Sequence, residues 1–203
     1  MRSDPLADFV QRLEGIVARG AGDEGAVLGE VKQAMQALVA RDDWLPEPFT
    51  RPDPQYYRQY LLHADPDDRF CVVSFVWGPG QQTPVHDHTV WGIVGVMRGA
   101  ESCEDFDLEP ETGRLRSRGK HSLRPGGIDL VSSRVGDIHK VYNALADLAS
   151  ISIHVYGANI GVVKRHIYEP STGQSEPFVS GYSSAVLPNL WDLSGETTAS
   201  ANR

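Results

Sequence analysis

At 203 residues, the chain suits one domain with a small appendage, and a domain of this size buries about 70% of its unfolded-chain surface without staples. Nineteen Lys and Arg against 27 Asp and Glu leave a formal charge of −8, which argues against nucleic acid or an anionic membrane as a partner. Cys71 and Cys103 are too few for a disulfide scaffold. With an acidic N-terminal stretch and no long apolar run, they predict a reduced, cytoplasmic protein, a monomer or weak homo-oligomer with no membrane partner.

Residues 5–20 place Leu6, Phe9, Val10, Leu13, Ile16 and Val17 at helical spacing and end at Gly20. Residues 24–40 repeat the pattern with Val27, Leu28, Val31, Met35, Leu38 and Val39. Residues 1–44 are therefore expected to form a helical segment packed outside the main body. Prolines between Trp44 and Pro54 predict an extended connector. The character then becomes β: runs 56–62 and 69–77 flank the turn composition Asp65-Pro66-Asp67-Asp68 and predict a hairpin. Further short apolar runs follow at 90–97, 103–108, 127–132, 138–143, 149–155 and 162–168, a spacing that suggests a sandwich or small barrel over residues 45–170. Residues 171–203, with Phe178, Tyr182, Leu187, Leu190 and Trp191, read as a tail wrapping that barrel and fraying over its last ten or so positions.

Two stretches carry the chemistry. In Gly80-Gln-Gln-Thr-Pro-Val-His86-Asp87-His88, the two histidines stand at i and i+2, so on a strand both imidazoles project to one side and can hold one ion. Gly136-Asp-Ile-His139-Lys-Val-Tyr-Asn143 supplies a third histidine. Three neutral imidazoles with coordination positions to spare suit a catalytic transition metal better than a closed structural site. Asp87, between two ligands, faces away and is expected to hold a turn or an outer contact. The spacings Gly80, His86, His88, Gly92, Gly99 and Gly136, His139, Asn143 resemble the two motifs of the cupin superfamily. That likeness implies a mainly β, double-stranded β-helix barrel with a metal in its mouth and two N-terminal α-helices added. Gly92 stands where cupins usually carry a glutamate, and Arg134 where the second motif usually has proline.

A third stretch, Ser150-Ile-Ser152-Ile-His154-Val-Tyr156, sets Ser152, His154 and Tyr156 on one face of a strand and Ile151, Ile153 and Val155 on the other. Together the motifs resemble the cysteine dioxygenase family of thiol dioxygenases across roughly residues 45–168. The resemblance implies Fe(II) held by His86, His88 and His139, with Ser152, His154 and Tyr156 as a relay beside it. It further implies O2 and a small thiol as substrates and a sulfinate as product. The mammalian-type enzymes have a cysteine near position 92 that crosslinks to the tyrosine. Here Trp91-Gly92-Ile93 offers no thiol, so Tyr156 is expected to stay an unmodified phenol. Arg58 and Gln59 are strand neighbours, so only one of them can face the iron. Gln59 at the substrate position resembles the bacterial subgroup that prefers 3-mercaptopropionate, and in that comparison Arg165 has the spacing of the carboxylate-holding arginine. Cysteine dioxygenase proper, a non-catalytic ligand-binding cupin and another cupin enzyme such as an isomerase remain the alternatives. His63, His121 and His166 have no partner pattern and are expected at the surface or in hairpins, and Trp91 in the core.

Overall fold

The structure, a computed structural model, describes residues 4–183. Helix α1 (Pro5–Arg19) begins where the Asp4 side chain accepts from the backbone N–H groups of Leu6 and Ala7 and stops at Gly20, and α2 (Glu24–Val39) is capped by Asp23 in the same way. The apolar positions picked out by periodicity are buried except Val17, which is partly buried, and α2 buries Ala34 as well.

Eleven strands follow among the described residues: β1 (Arg58–Ala64), β2 (Cys71–Trp77), β3 (Val85–His86), β4 (Gly92–Arg98), β5 (Glu101–Leu108), β6 (Leu115–Leu123), β7 (Ile128–Val131), β8 (Ile138–Asn143), β9 (Ser150–Tyr156), β10 (Arg165–Tyr168) and β11 (Ser175–Phe178). They form two antiparallel sheets, ordered β1-β2-β9-β4-β7 and β11-β10-β3-β8-β5-β6, the mainly β, double-stranded β-helix expected. The predicted connector carries one 3-10 turn, Glu47–Thr50. Among the described residues no helix is long and apolar enough to cross a membrane.

The helices cover the outer face of the five-stranded sheet, with α2 against β4 and β7. This explains why β2 and β9 are buried along their whole length. Their alternate residues enter different layers. Val72, Val76, Ile151, Ile153 and Val155 join the helices in one apolar cluster. Cys71, Val73, Phe75, Trp77 and Tyr156 point into the barrel. Two strands escape the apolar pattern of the sequence. β6 is mostly exposed, and β11 carries Pro177, which an edge strand tolerates because one side of its backbone needs no partner. The expected tail residues Leu187, Leu190 and Trp191 lie outside the described residues.

Candidate metal centre

β3 is only two residues long, but it is clamped on both sides: Ile167 pairs with His86 from β10, and His139 pairs with His86 from β8. A tight turn at Gly136, whose φ of 136° suits glycine, delivers the chain into β8. The result is three buried imidazoles whose ligand atoms lie within 4.8 Å of one another. Each ring is aimed by what it meets at Nδ1. His86 Nδ1 lies 3.1 Å from the Pro84 carbonyl oxygen, His88 Nδ1 lies 3.1 Å from Asp137 Oδ1, and His139 Nδ1 lies 3.3 Å from Cys103 Sγ. With every Nδ1 engaged outward, the three Nε2 atoms are left for a shared centre, as metal-binding histidines require. Burial, then the neighbouring imidazoles, push His86 and His139 well below the usual histidine range, so both rings stay neutral and keep a lone pair. The donor set fits a divalent transition metal.

Asp137 is the residue that sequence reading missed here. Besides meeting His88 Nδ1, its carboxylate accepts from the backbone N–H of His88 at 2.9 Å and of Thr89 at 3.0 Å. That grip holds Thr89 at a φ of 60°, uncommon for a non-glycine residue. Burial works to raise the Asp137 carboxyl, but the bonds from His88 and the two N–H groups outweigh it and keep the group ionised. Its signal was its position two residues before His139. Asp87 turns away as expected and accepts from the His166 backbone N–H and the Tyr168 hydroxyl at 2.8 and 2.9 Å. His63 lies in a hairpin as expected, on β1 paired with β2, but it is buried there rather than at the surface, its ring 5.4 Å from that of Phe70. His166 meets Asp87, and His121 on β6 meets Asp129 on β7, a strand of the other sheet. Trp91, expected in the core, is partly buried against the outer cluster.

Ser152, His154 and Tyr156 project from β9 into the same interior. His154 Nε2 lies 2.8 Å from Ser152 Oγ, and its Nδ1 lies 2.8 Å from the Tyr156 hydroxyl. All three are buried rather than at a rim. Burial, then nearby His88, keeps His154 neutral, and burial pushes the Tyr156 phenol up so that it holds its proton. The Tyr156 ring stacks near His88, centroids 5.6 Å apart.

A cavity joins this relay to His86 and His139, and Gln59 and Arg165 line it. Arg58 turns the other way into an ion pair with Asp53, which resolves the strand-neighbour ambiguity in favour of Gln59. Arg165 is 5% exposed; its Nη2 donates to Ser180 Oγ at 2.7 Å, while its Nε is buried without a partner. Among the described residues no carboxylate pairs with it.

A family model described as Cysteine dioxygenase type I matches residues 1–168. The chain belongs to that family. It is also 21% identical over 210 residues to Cysteine dioxygenase type 1 of Danio rerio, covering 98% of this chain and 92% of that one. Similar solved structures include a Klebsiella pneumoniae protein with a double-stranded β-helix domain, at 16% identity, 68% and 97% coverage and a TM-score of 0.44. A cupin superfamily protein of Desulfitobacterium hafniense gives 14% identity, 59% and 94% coverage and a TM-score of 0.43.

Two positions in this cysteine dioxygenase family member bear on Tyr156. Gly92 lies opposite it in register, so closely that an added Cβ would sit 2.8 Å from the ring. Cys71 is its register partner on the other side, but the Cys71 sulfur accepts from the Ile160 N–H, and burial raises its thiol to about 11. Sequence reading also missed Ser180 and Phe178, which close the cavity over Arg165 from the segment after β10.

Proposed function

We propose that this protein is a non-haem iron dioxygenase that converts a small thiol carboxylate and O2 to the sulfinate, with 3-mercaptopropionate preferred to cysteine. The observation that supports it best is the buried Arg165 guanidinium, with no carboxylate partner among the described residues, in the same cavity as His86, His139 and Tyr156. A buried cation without an anion is costly, and a carboxylate brought by the substrate would satisfy it through the guanidinium fork. His86, His88 and His139 would hold the ion. When bound, ferrous iron would supply the coordination positions and electrons that let O2 react with a thiolate. The protein's own part is orientation. Arg165 fixes the carboxylate end, the rings of Phe75 and Trp77 wall the chain, and the Tyr156 hydroxyl donates or accepts a hydrogen bond at the reacting end.

Preference for 3-mercaptopropionate follows from what the wall lacks. No carboxylate lines the cavity among the described residues, and the Gln59 amide N–H groups donate to Ser180 and to the Gly181 carbonyl. The ammonium of cysteine would be buried with only a neutral dipole beside it. Such an unmet group costs about 1–3 kcal/mol, or about tenfold to a hundredfold in discrimination.

The test is anaerobic iron loading, followed by oxygen uptake with 3-mercaptopropionate, cysteine, cysteamine and mercaptosuccinate in parallel. The highest kcat/KM is expected for 3-mercaptopropionate, and Arg165→Ala should act mainly on KM, since carboxylate binding is shared by ground and transition states. Cysteine ahead, with Arg165→Ala silent, would overturn the substrate assignment. Full iron content without oxygen uptake would overturn the activity itself.

A further inference from the structure

The inward face of β5 carries Glu101, Cys103 and Asp105 in succession, and Glu101 ends at the relay. It is 1% exposed, and neither carboxyl oxygen has a hydrogen bond of ordinary geometry. The polar groups facing it are the Ser152 hydroxyl and the Trp77 indole. Trp77 Nε1 in turn donates to Ser152 Oγ at 3.4 Å. A leucine or methionine would fill that space without desolvating a carboxyl, so its presence there calls for a role.

We propose that Glu101 is a positioning residue that terminates the Tyr156–His154–Ser152 relay and takes up the proton released by the substrate thiol. The proposal rests on the dioxygenase reading for the source of that proton, but the polarity of the chain is a property of these four residues alone.

The hydrogens dictate two states. With Glu101 ionised, Ser152 donates to the carboxylate, His154 Nε2–H donates to Ser152 Oγ, and Tyr156 donates to His154 Nδ1. The phenol proton then points away from the cavity. When a substrate thiol loses its proton to the Tyr156 oxygen, the phenol's own proton passes to Nδ1, the Nε2 proton passes to Ser152, and the Ser152 proton passes to Glu101. One S–H bond has broken and one carboxyl O–H bond has formed, leaving a thiolate in the cavity. Among the relay residues only Glu101 has changed its proton count. In the second state Glu101 donates to Ser152, Ser152 to Nε2, and Nδ1–H to Tyr156, whose own proton now points at the substrate.

The surroundings suit a group that changes charge near neutrality. Burial raises the Glu101 carboxyl to about 7 against the pull of Ser152 and Trp77. In register it is flanked by Leu123 of β6 and Asn143 of β8, neither of which titrates. The titratable groups around it are His154 and Tyr156 on β9 and Cys103 on its own strand, all held neutral by burial. His121 lies two register pairs further along, opposite Cys103.

The experiment is nitrogen-15 NMR of the His154 ring in the full-length protein loaded with Zn(II) as a diamagnetic stand-in. The wild type should carry its ring proton on Nε2 at pH 8 and on Nδ1 at pH 6. Glu101→Gln, whose amide donates to Ser152 at every pH, should show Nδ1–H throughout. A wild-type tautomer that does not change with pH, or a switch that survives Glu101→Gln, would overturn the proposal. In iron-loaded protein, kcat/KM for 3-mercaptopropionate should fall about tenfold or more in Glu101→Gln at pH 8, little at pH 6, and show no such pH-dependent gap in a Tyr156→Phe background. A gap of equal size at both pH values would mark Glu101 as structural only. If the wild type consumes no oxygen, the dioxygenase reading fails, while the tautomer measurement still decides the relay.

Discussion

The three imidazoles meet different partners at Nδ1, namely a carbonyl for His86, a carboxylate for His88 and a thiol for His139. Asp137 matters most among them, because it also holds the backbone at His88 and Thr89. Asp137→Asn keeps the volume but places an NH2 where an acceptor is needed. Metal affinity is expected to fall about tenfold to a hundredfold, measured by competition with a chelator, and unchanged affinity would mean that His88 is aimed by packing alone. Tyr156→Phe is expected to retain metal but slow turnover, since it removes the hydroxyl at the cavity end of the relay. Mass spectrometry of the wild type should find Tyr156 unmodified, and a loss of two hydrogens linking it to Cys71 or Cys103 would sink that expectation. His86, His88 and His139 were legible in the sequence because strand alternation fixes the spacing of ligands that share an ion. Asp137 and Cys103 were not, because an outer partner can be any acceptor brought there by the fold.

Among the elements, β9 was the most readable. Its polar Ser152, His154 and Tyr156 alternate with apolar Ile151, Ile153 and Val155 because one face meets the cavity and the other meets the helices. β6 was silent: Arg116, Ser117, Arg118, Gly119 and Lys120 show no apolar alternation because the strand faces water at a sheet edge. β11 was read as tail for a similar reason, with Pro177 and Glu176 pairing at the opposite edge of that sheet. Yet β11 bears on the site. It registers Phe178 against Arg165 and lays the ring 4.6 Å from the guanidinium carbon. Phe178→Ala should therefore release the guanidinium and raise KM for 3-mercaptopropionate about fivefold, equivalent to about 1 kcal/mol, with kcat little changed. Steady-state oxygen uptake at constant iron content checks this. An unchanged KM would show that Ser180 alone positions Arg165.

Across the whole molecule, the two helices supply an outer apolar layer, and this frees the barrel interior to hold groups that a small core would exclude. Those groups link stability to pH with opposite signs. His86, His139 and His154 sit below the value of 6.5 for a free imidazole. The unfolded chain binds protons there that the fold refuses, and stability drops as pH falls below that value. Glu101 works in reverse. Its carboxyl titrates at about 7 in the fold against 4.5 for a free one, so between those values the fold keeps a proton that the unfolded chain has released. Stability therefore falls as pH rises through that window, by on the order of 3 kcal/mol in all. Glu101→Gln removes this linkage and replaces none of the histidines; His86 and His139 are outside the relay and His154 stays neutral in either tautomer, so their contribution largely cancels when the two proteins are compared. In metal-free protein the advantage of Glu101→Gln in Tm should grow by roughly 5–10 °C between pH 5 and pH 8, at roughly 2–4 °C per kcal/mol for a chain of this length. Thermal melts at matched ionic strength measure it. A difference that stays flat across that range would mean that the carboxyl is solvated in the fold, and the relay would then lose its terminus as well.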